Sequence, residues 1–189
     1  MRRFGAVLAL LALVACGAPQ EATDPVTEAD VAALAKSIAA LGPDVDPDEA
    51  RRAAEIAFSY TRELAIAYEI VDPPLVHNTK VNMGVKPRGL CWHWAEDMEN
   101  RLDAEGFETL AMERAIANAF NDWLIDHSTA IIVARGDGFE DGIVLDPWRW
   151  GGHLFWDETA DDTRYDWVGR EEVFARKRAR LGPNGLLPG

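Results

Sequence analysis

Three residues in this chain have the types and positions for nucleophilic chemistry: Cys91, His127 and Asp146. Cys91 follows Gly89-Leu90 and opens a helical stretch; His127 opens the run HSTAIIVA; Asp146 ends the apolar part of IVLDPW. A helix N-terminus presents free N–H groups and partial positive charge, which favours the thiolate of a cysteine placed there. A histidine facing such a thiol takes its proton and returns it to a leaving group, while a carboxylate orients the imidazole. Each residue also has a plain alternative: a buried small hydrophobe for Cys91, a strand-end filler for His127, a turn residue before proline for Asp146. Their order along the chain carries more weight than any one of them. The other histidines offer less. His93 lies two positions after Cys91, about 200° around a helix and so pointing away from the thiol. His77 falls in an apparent loop and His153 follows Gly151-Gly152. With no CxxC or HExxH spacing, no metal site is expected, and no cofactor motif is present.

The elements that must position these residues are punctuated clearly. Thr27 with Asp30 predicts an N-cap and a short Ala-rich helix to about Leu41, stopped by Gly42-Pro43. Asp46, with Pro47 at the first helical position, predicts a second helix to about Ile70, with Ile56, Tyr60, Leu64, Ala67 and Tyr68 on one apolar face. Residues 75–89 lack periodicity and read as a surface loop. A third helix runs from Cys91 to about Glu105 and is closed by Gly106. Strands are expected over Thr109–Ala117, Ser128–Ala134 and Gly142–Leu145, the last two joined by a turn at Arg135-Gly136-Asp137-Gly138. Residues 153–168 add one or two edge strands, and Arg170–Arg180 forms a final helix. The class is α+β: N-terminal helices, then an active-site helix packed on an antiparallel sheet.

The segment GLCWHWAEDMENRL resembles the active-site helix of papain-like and especially transglutaminase-like proteins, in which Gly precedes a Cys followed by an aromatic residue. Cys, then His at a strand start, then Asp in a V-L-D-P turn is similar to the transglutaminase-like core over roughly residues 85–150. The resemblance implies Cys91 as nucleophile, His127 as general base and acid, and Asp146 as the orienting residue. It departs after the histidine, where many relatives carry an aromatic residue and this chain has Ser128-Thr129-Ala130. An oxyanion hole needs the Cys91 N–H and a second donor. Papain-like relatives use a Gln upstream of the Cys; none stands there, leaving Asn82 and Asn78 as candidates on chemistry alone. Trp92 and Trp148 are candidate walls of a substrate groove, though they, Trp94 and Trp150 equally suit core packing.

Composition sets the surroundings. Of 189 residues, 19 are Lys or Arg and 32 Asp or Glu, a net charge of −13. That balance argues against nucleic-acid binding and against polybasic attachment to anionic lipid. The one basic cluster (Arg176, Lys177, Arg178, Arg180) reads as a solvated helix face complementing a helix C-terminus. Met1-Arg2-Arg3 and the apolar run Phe4–Ala15 read as a leader too short to span a bilayer. Leu13-Val14-Ala15-Cys16 resembles the lipobox of bacterial lipoproteins, implying cleavage at residue 15 and lipidation of Cys16. Residues 16–26 then form a lipidated tether and 27–189 the catalytic domain. Gly17 rather than Asp at the sorting position implies the periplasmic face of the outer membrane. With Cys16 lipidated, Cys91 is a lone exported thiol without a disulfide partner.

The expected function is that of a cell-envelope thiol enzyme acting on amide bonds, by peptide or isopeptide hydrolysis or by acyl transfer. Its expected partners are a protein or peptidoglycan peptide substrate and the membrane holding the lipid anchor. A papain-like peptidoglycan hydrolase is a second enzymatic reading. The alternative outside enzymology is a non-catalytic lipoprotein that uses the fold as a binding scaffold.

Overall fold

The computed structural model describes residues 25–181; the expected leader, the expected lipidation site Cys16 and most of the tether expected for 16–26 lie outside them. Two capped helices come first. In α1 (Glu28–Ala39), Thr27 and Asp30 exchange reciprocal capping bonds. In α2 (Pro47–Ala67), Asp46 Oδ1 accepts from the N–H groups of Asp48 (2.7 Å) and Glu49 (3.2 Å). Such caps are each worth about 1 kcal/mol because they satisfy N–H groups with no partner inside the helix. The helix α2 stops at Ala67, slightly short of the expected Ile70.

Residues 75–89 depart from expectation. Rather than a continuous loop, they begin with α3 (Pro74–Asn82), a nine-residue helix started by Pro74 at its first turn. It buries a single side chain, His77, so no apolar period marks it in the sequence. The next helix, α4, spans Cys91–Asp103 and ends near Gly106, whose φ of 64° suits glycine.

Five antiparallel strands follow: β1 (Leu110–Ala117), β2 (His127–Ala134), β3 (Ile143–Asp146), β4 (Phe155–Glu158) and β5 (Val168–Gly169), in the order β4-β3-β2-β1-β5. The strands β4 and β5 lie on opposite edges of the sheet. A 3-10 turn, Phe139–Asp141, joins β2 to β3, and α5 (Arg170–Leu181) follows β5. The molecule is thus α+β, helices combined with one antiparallel sheet.

The sheet is buried on both faces, which explains the near-continuous apolar run of β2. With a side-chain period of two, Ala130 and Ile132 join Ile143, Leu145 and the Met98 and Leu102 side chains of α4 in the main core, with α1 and α2 behind. Ile131, Val133, Val144 and Ala115 form a second layer on the other face, covered by Phe139, Phe155 and Trp167. His127 and Asp146 share the parity of this second layer, so the imidazole and α4 meet only around the end of the sheet.

Candidate active site

Cys91 is held at the start of α4 by a turn fastened on several sides. Gly89 has φ 120°, and a Cβ there would lie 2.4 Å from His77 Nε2, so glycine is required. His77 Nε2 donates to the Arg88 carbonyl (2.8 Å), and Trp94 Nε1 donates to the Gly89 carbonyl (3.1 Å). His93 Nδ1 accepts from the backbone N–H groups of Gly89 (3.1 Å) and Leu90 (3.2 Å), capping its own helix. Across the sheet, Arg114 reaches the Trp92 carbonyl and Ser128 Oγ (3.3 Å each) and pairs with Glu99 at 3.5 Å. The first turn of α4 is thereby tied to β1 and β2.

His127 meets Asp146 as the antiparallel register dictates. Ala130 stands opposite Leu145, so the first residue of β2 lies beside the end of β3. The 19 residues between them in sequence close to a 2.7 Å contact between His127 Nε2 and Asp146 Oδ2. Both side chains are buried, 3% and 1% exposed. Nδ1 is also buried and makes no hydrogen bond of regular geometry. Cys91 nonetheless interacts with the ring. With Nε2 committed to Asp146, Nδ1 is the nitrogen left to face the thiol, in a contact looser than a formed hydrogen bond. The thiol itself lies 3.7 Å from the Asp126 carbonyl oxygen, immediately before His127.

The electrostatics follow from this arrangement. Burial opposes a charge on His127, but the Asp146 carboxylate, by charge and by hydrogen bond, and then Cys91 outweigh it and raise the imidazole to about 9. Asp146 is driven the other way. Burial disfavours its charge, yet His127 and Arg149 hold its carboxyl below the usual range. His93 contrasts with both: burial first, then the charge of Arg88, lowers its pKa.

Behind Asp146 stands a buried network that the sequence did not disclose. Arg149 Nε donates to Asp146 Oδ2 (3.0 Å), and the Arg149 backbone N–H donates to Oδ1 (3.1 Å). The other two guanidinium nitrogens grip Asp162 at 3.0 and 2.6 Å, while Trp167 Nε1 donates to the same carboxylate (3.0 Å). The guanidinium lies 3.7 Å from the Phe155 ring centroid and 4.8 Å from that of Tyr165. Charges therefore alternate inward from Asp162 through Arg149 and Asp146 to His127. The three-residue step from Asp146 to Arg149 was visible in DPWR. Asp162 was not, because it belongs to an irregular segment with no period to read.

The remaining predicted residues fall into two groups. Trp148 packs on His127 with ring centroids 4.7 Å apart, and its Nε1 donates to Asn78 Oδ1 (3.0 Å). Tyr165 and Trp167 complete the aromatic enclosure at 4.5 and 5.5 Å. Trp92 is 45% exposed and stacks on His93 (3.8 Å). Asn82 sits exposed at the end of α3, and no described contact links it to Cys91 or His127. Asn78, one turn earlier, is the asparagine joined to the site through Trp148. Among the described residues, no group of His, Cys, Asp and Glu side chains is arranged to hold a metal ion, and no helix is long and apolar enough to cross a membrane.

Compared with family models, with curated proteins and with solved structures, the chain matches none.

Proposed function

We propose that this protein is a cell-envelope thiol enzyme that acts on amide bonds through Cys91, His127 and Asp146, on a transglutaminase-like core. The observation that carries this reading is the division of labour on one imidazole: Nε2 is bound to a buried carboxylate, and Nδ1 is left to a cysteine at a helix N-terminus. A core histidine with only a structural task has no need of a buried ring nitrogen left without a hydrogen bond beside a thiol.

In the proposed reaction the Cys91 proton already resides on the charged His127 ring at Nδ1, and the thiolate Sγ attacks the amide carbonyl carbon. The C–N bond then breaks, the amine leaves with that proton, and a thioester remains on Cys91. Water releases the acid by hydrolysis, or a second amine takes the acyl group. Hydrolysis is favoured because water is the default acceptor. Asp146 keeps the ring oriented and stabilises its charged form, and Arg149 with Asp162 fixes Asp146. The developing oxyanion is assigned to the Cys91 backbone N–H. For the second donor, the amide of Asn78, oriented by Trp148, is better supported than Asn82.

The envelope location and the protein or peptidoglycan substrate belong to the same proposal and rest on the lipobox-like segment ending at Cys16. A second reading, a non-catalytic binding scaffold, draws on one observation: Cys91 is only 8% exposed and His127 is enclosed by Trp148, Tyr165 and Trp167. Incubation with purified sacculi and with a protein substrate, followed by intact-mass detection of a thioester on Cys91, separates the two. Enzymatic function predicts an acyl adduct and product release, both lost in Cys91→Ser. Product release that survives Cys91→Ser contradicts the assignment.

A further inference from the structure

The loop between β1 and β2, residues 118–126, presents three consecutive apolar side chains to solvent: Trp123 (94% exposed), Leu124 (54%) and Ile125 (65%). The loop is ordered by its own hydrogen bonds. Asn118 Nδ2 donates to the Ile125 carbonyl (3.1 Å), the Trp123 N–H to Asn121 Oδ1 (3.0 Å), and the Leu124 N–H to the Asn121 carbonyl (3.2 Å). Its apolar tip is therefore built, and held away from the core.

The base of the same loop is gripped by the basic end of α5. Arg176 and Arg180 lie 5.2 and 5.1 Å from the Phe120 ring centroid, and Lys177 pairs with Asp126 at 2.5 Å. Arg178 is exposed on the same helix. The acidic groups in this region are Asp122 and Asp126 on the loop and Glu171 and Glu172 on the helix, with Glu172 paired to Arg176. In a chain of net charge −13, the sequence-local basic cluster thus sits against the base of the loop that carries the exposed apolar run.

We infer that this loop is a membrane-docking tip, entering the interface of an anionic bilayer while the α5 cations meet the headgroups. The composition selects a bilayer over a protein partner: a largely exposed tryptophan beside aliphatic residues, with Arg and Lys at the base of the loop, is what partitions to the water–lipid boundary. Net charge had argued against lipid attachment; the fold sets this basic cluster beside the loop that carries the apolar tip and alters that conclusion. The inference needs neither lipidation of Cys16 nor catalysis. Because the Asp126 carbonyl touches Cys91 Sγ, docking also sets the thiol close to the membrane surface.

The test uses the chain beginning at Gly17, which retains every described residue and lacks Cys16. Vesicles of phosphatidylglycerol with phosphatidylethanolamine are compared with phosphatidylcholine alone, by co-sedimentation and tryptophan emission. Expected are binding to the anionic vesicles with a blue-shifted emission, weakening in salt of about 0.5 M. Combined Trp123→Ser, Leu124→Ser and Ile125→Ser replacement is expected to weaken binding more than about tenfold without altering the thermal melt, and Arg178→Glu to weaken it severalfold. No binding to anionic vesicles overturns the inference, as does binding that the triple replacement leaves unchanged. Self-association that disappears in the triple variant, without vesicle binding, overturns it in favour of a contact between two copies.

Discussion

Two histidines neighbour Cys91 in this fold, and the protein treats them in opposite ways. His93 belongs to the helix terminus, spends Nδ1 on two backbone N–H groups and is pushed toward neutrality by burial and by Arg88. His127 belongs to the sheet end, spends Nε2 on a buried carboxylate and is held charged to about 9. The helix-terminal ring is an acceptor that completes a cap. The sheet-end ring is a proton store with one nitrogen unspent. Proximity in sequence thus points to the wrong ring for the proposed chemistry: the ring two residues away completes a cap, and the ring brought in by β-pairing is the one left with an unspent nitrogen.

That contrast breaks most visibly by exchanging the two losses. His127→Asn is expected to lower amide turnover by about 10²–10⁴-fold, the usual range for removing a general acid–base group, whereas His93→Asn keeps it within about tenfold. Steady-state rates on the substrate identified with sacculi or protein decide this, and equal losses in the two variants end the distinction.

The supporting network gives the next largest effect. Arg149→Met removes the cation between Asp146 and Asp162, both buried, and is expected to cost about 3–5 kcal/mol in urea unfolding. A cost below about 1 kcal/mol means the network is not holding the carboxylate.

The pH dependences of the two rings have opposite signs. The folded pKa of His127 lies above its unfolded value of about 6.5, so its stabilisation is complete below that pH and is lost as pH rises through about 9. The shift corresponds to about 3 kcal/mol. His93, with its pKa lowered, contributes above about pH 6.5 and loses that contribution as the pH falls through its folded value. Denaturant midpoints measured from the acid to the alkaline side of these transitions check this, and His127→Gln is expected to flatten the alkaline limb only.

The smallest effect sharpens the structural role. His93→Ala, losing the acceptor for Gly89 and Leu90, is expected to cost about 1 kcal/mol. Unchanged stability in that variant means the cap is dispensable.

How much of this was legible beforehand follows the same division. Elements with caps or a distinctive run were readable: Thr27 and Asp46 announced α1 and α2, and the β-branched apolar run after His127 announced β2. The order of Cys91, His127 and Asp146 was readable because each stands at the end of an element, where register brings ends together. The helix α3 was not, because nine residues burying only His77 leave no apolar stripe. Nor was the Arg149–Asp162 pair, since a contact between irregular segments is fixed by tertiary packing and leaves no local pattern. The glycine before the cysteine was noticed as a motif; its reason, a left-handed turn pressed against His77, needed the fold.

The central claim is that His127 activates Cys91, and the most direct measurement is the rate of iodoacetamide alkylation at Cys91 near pH 6, resolved by peptide mass. The account predicts that Cys91 reacts faster than a free model thiol and that His127→Asn abolishes the difference while His93→Asn does not. A Cys91 no faster than the free thiol, with His127 intact, contradicts it.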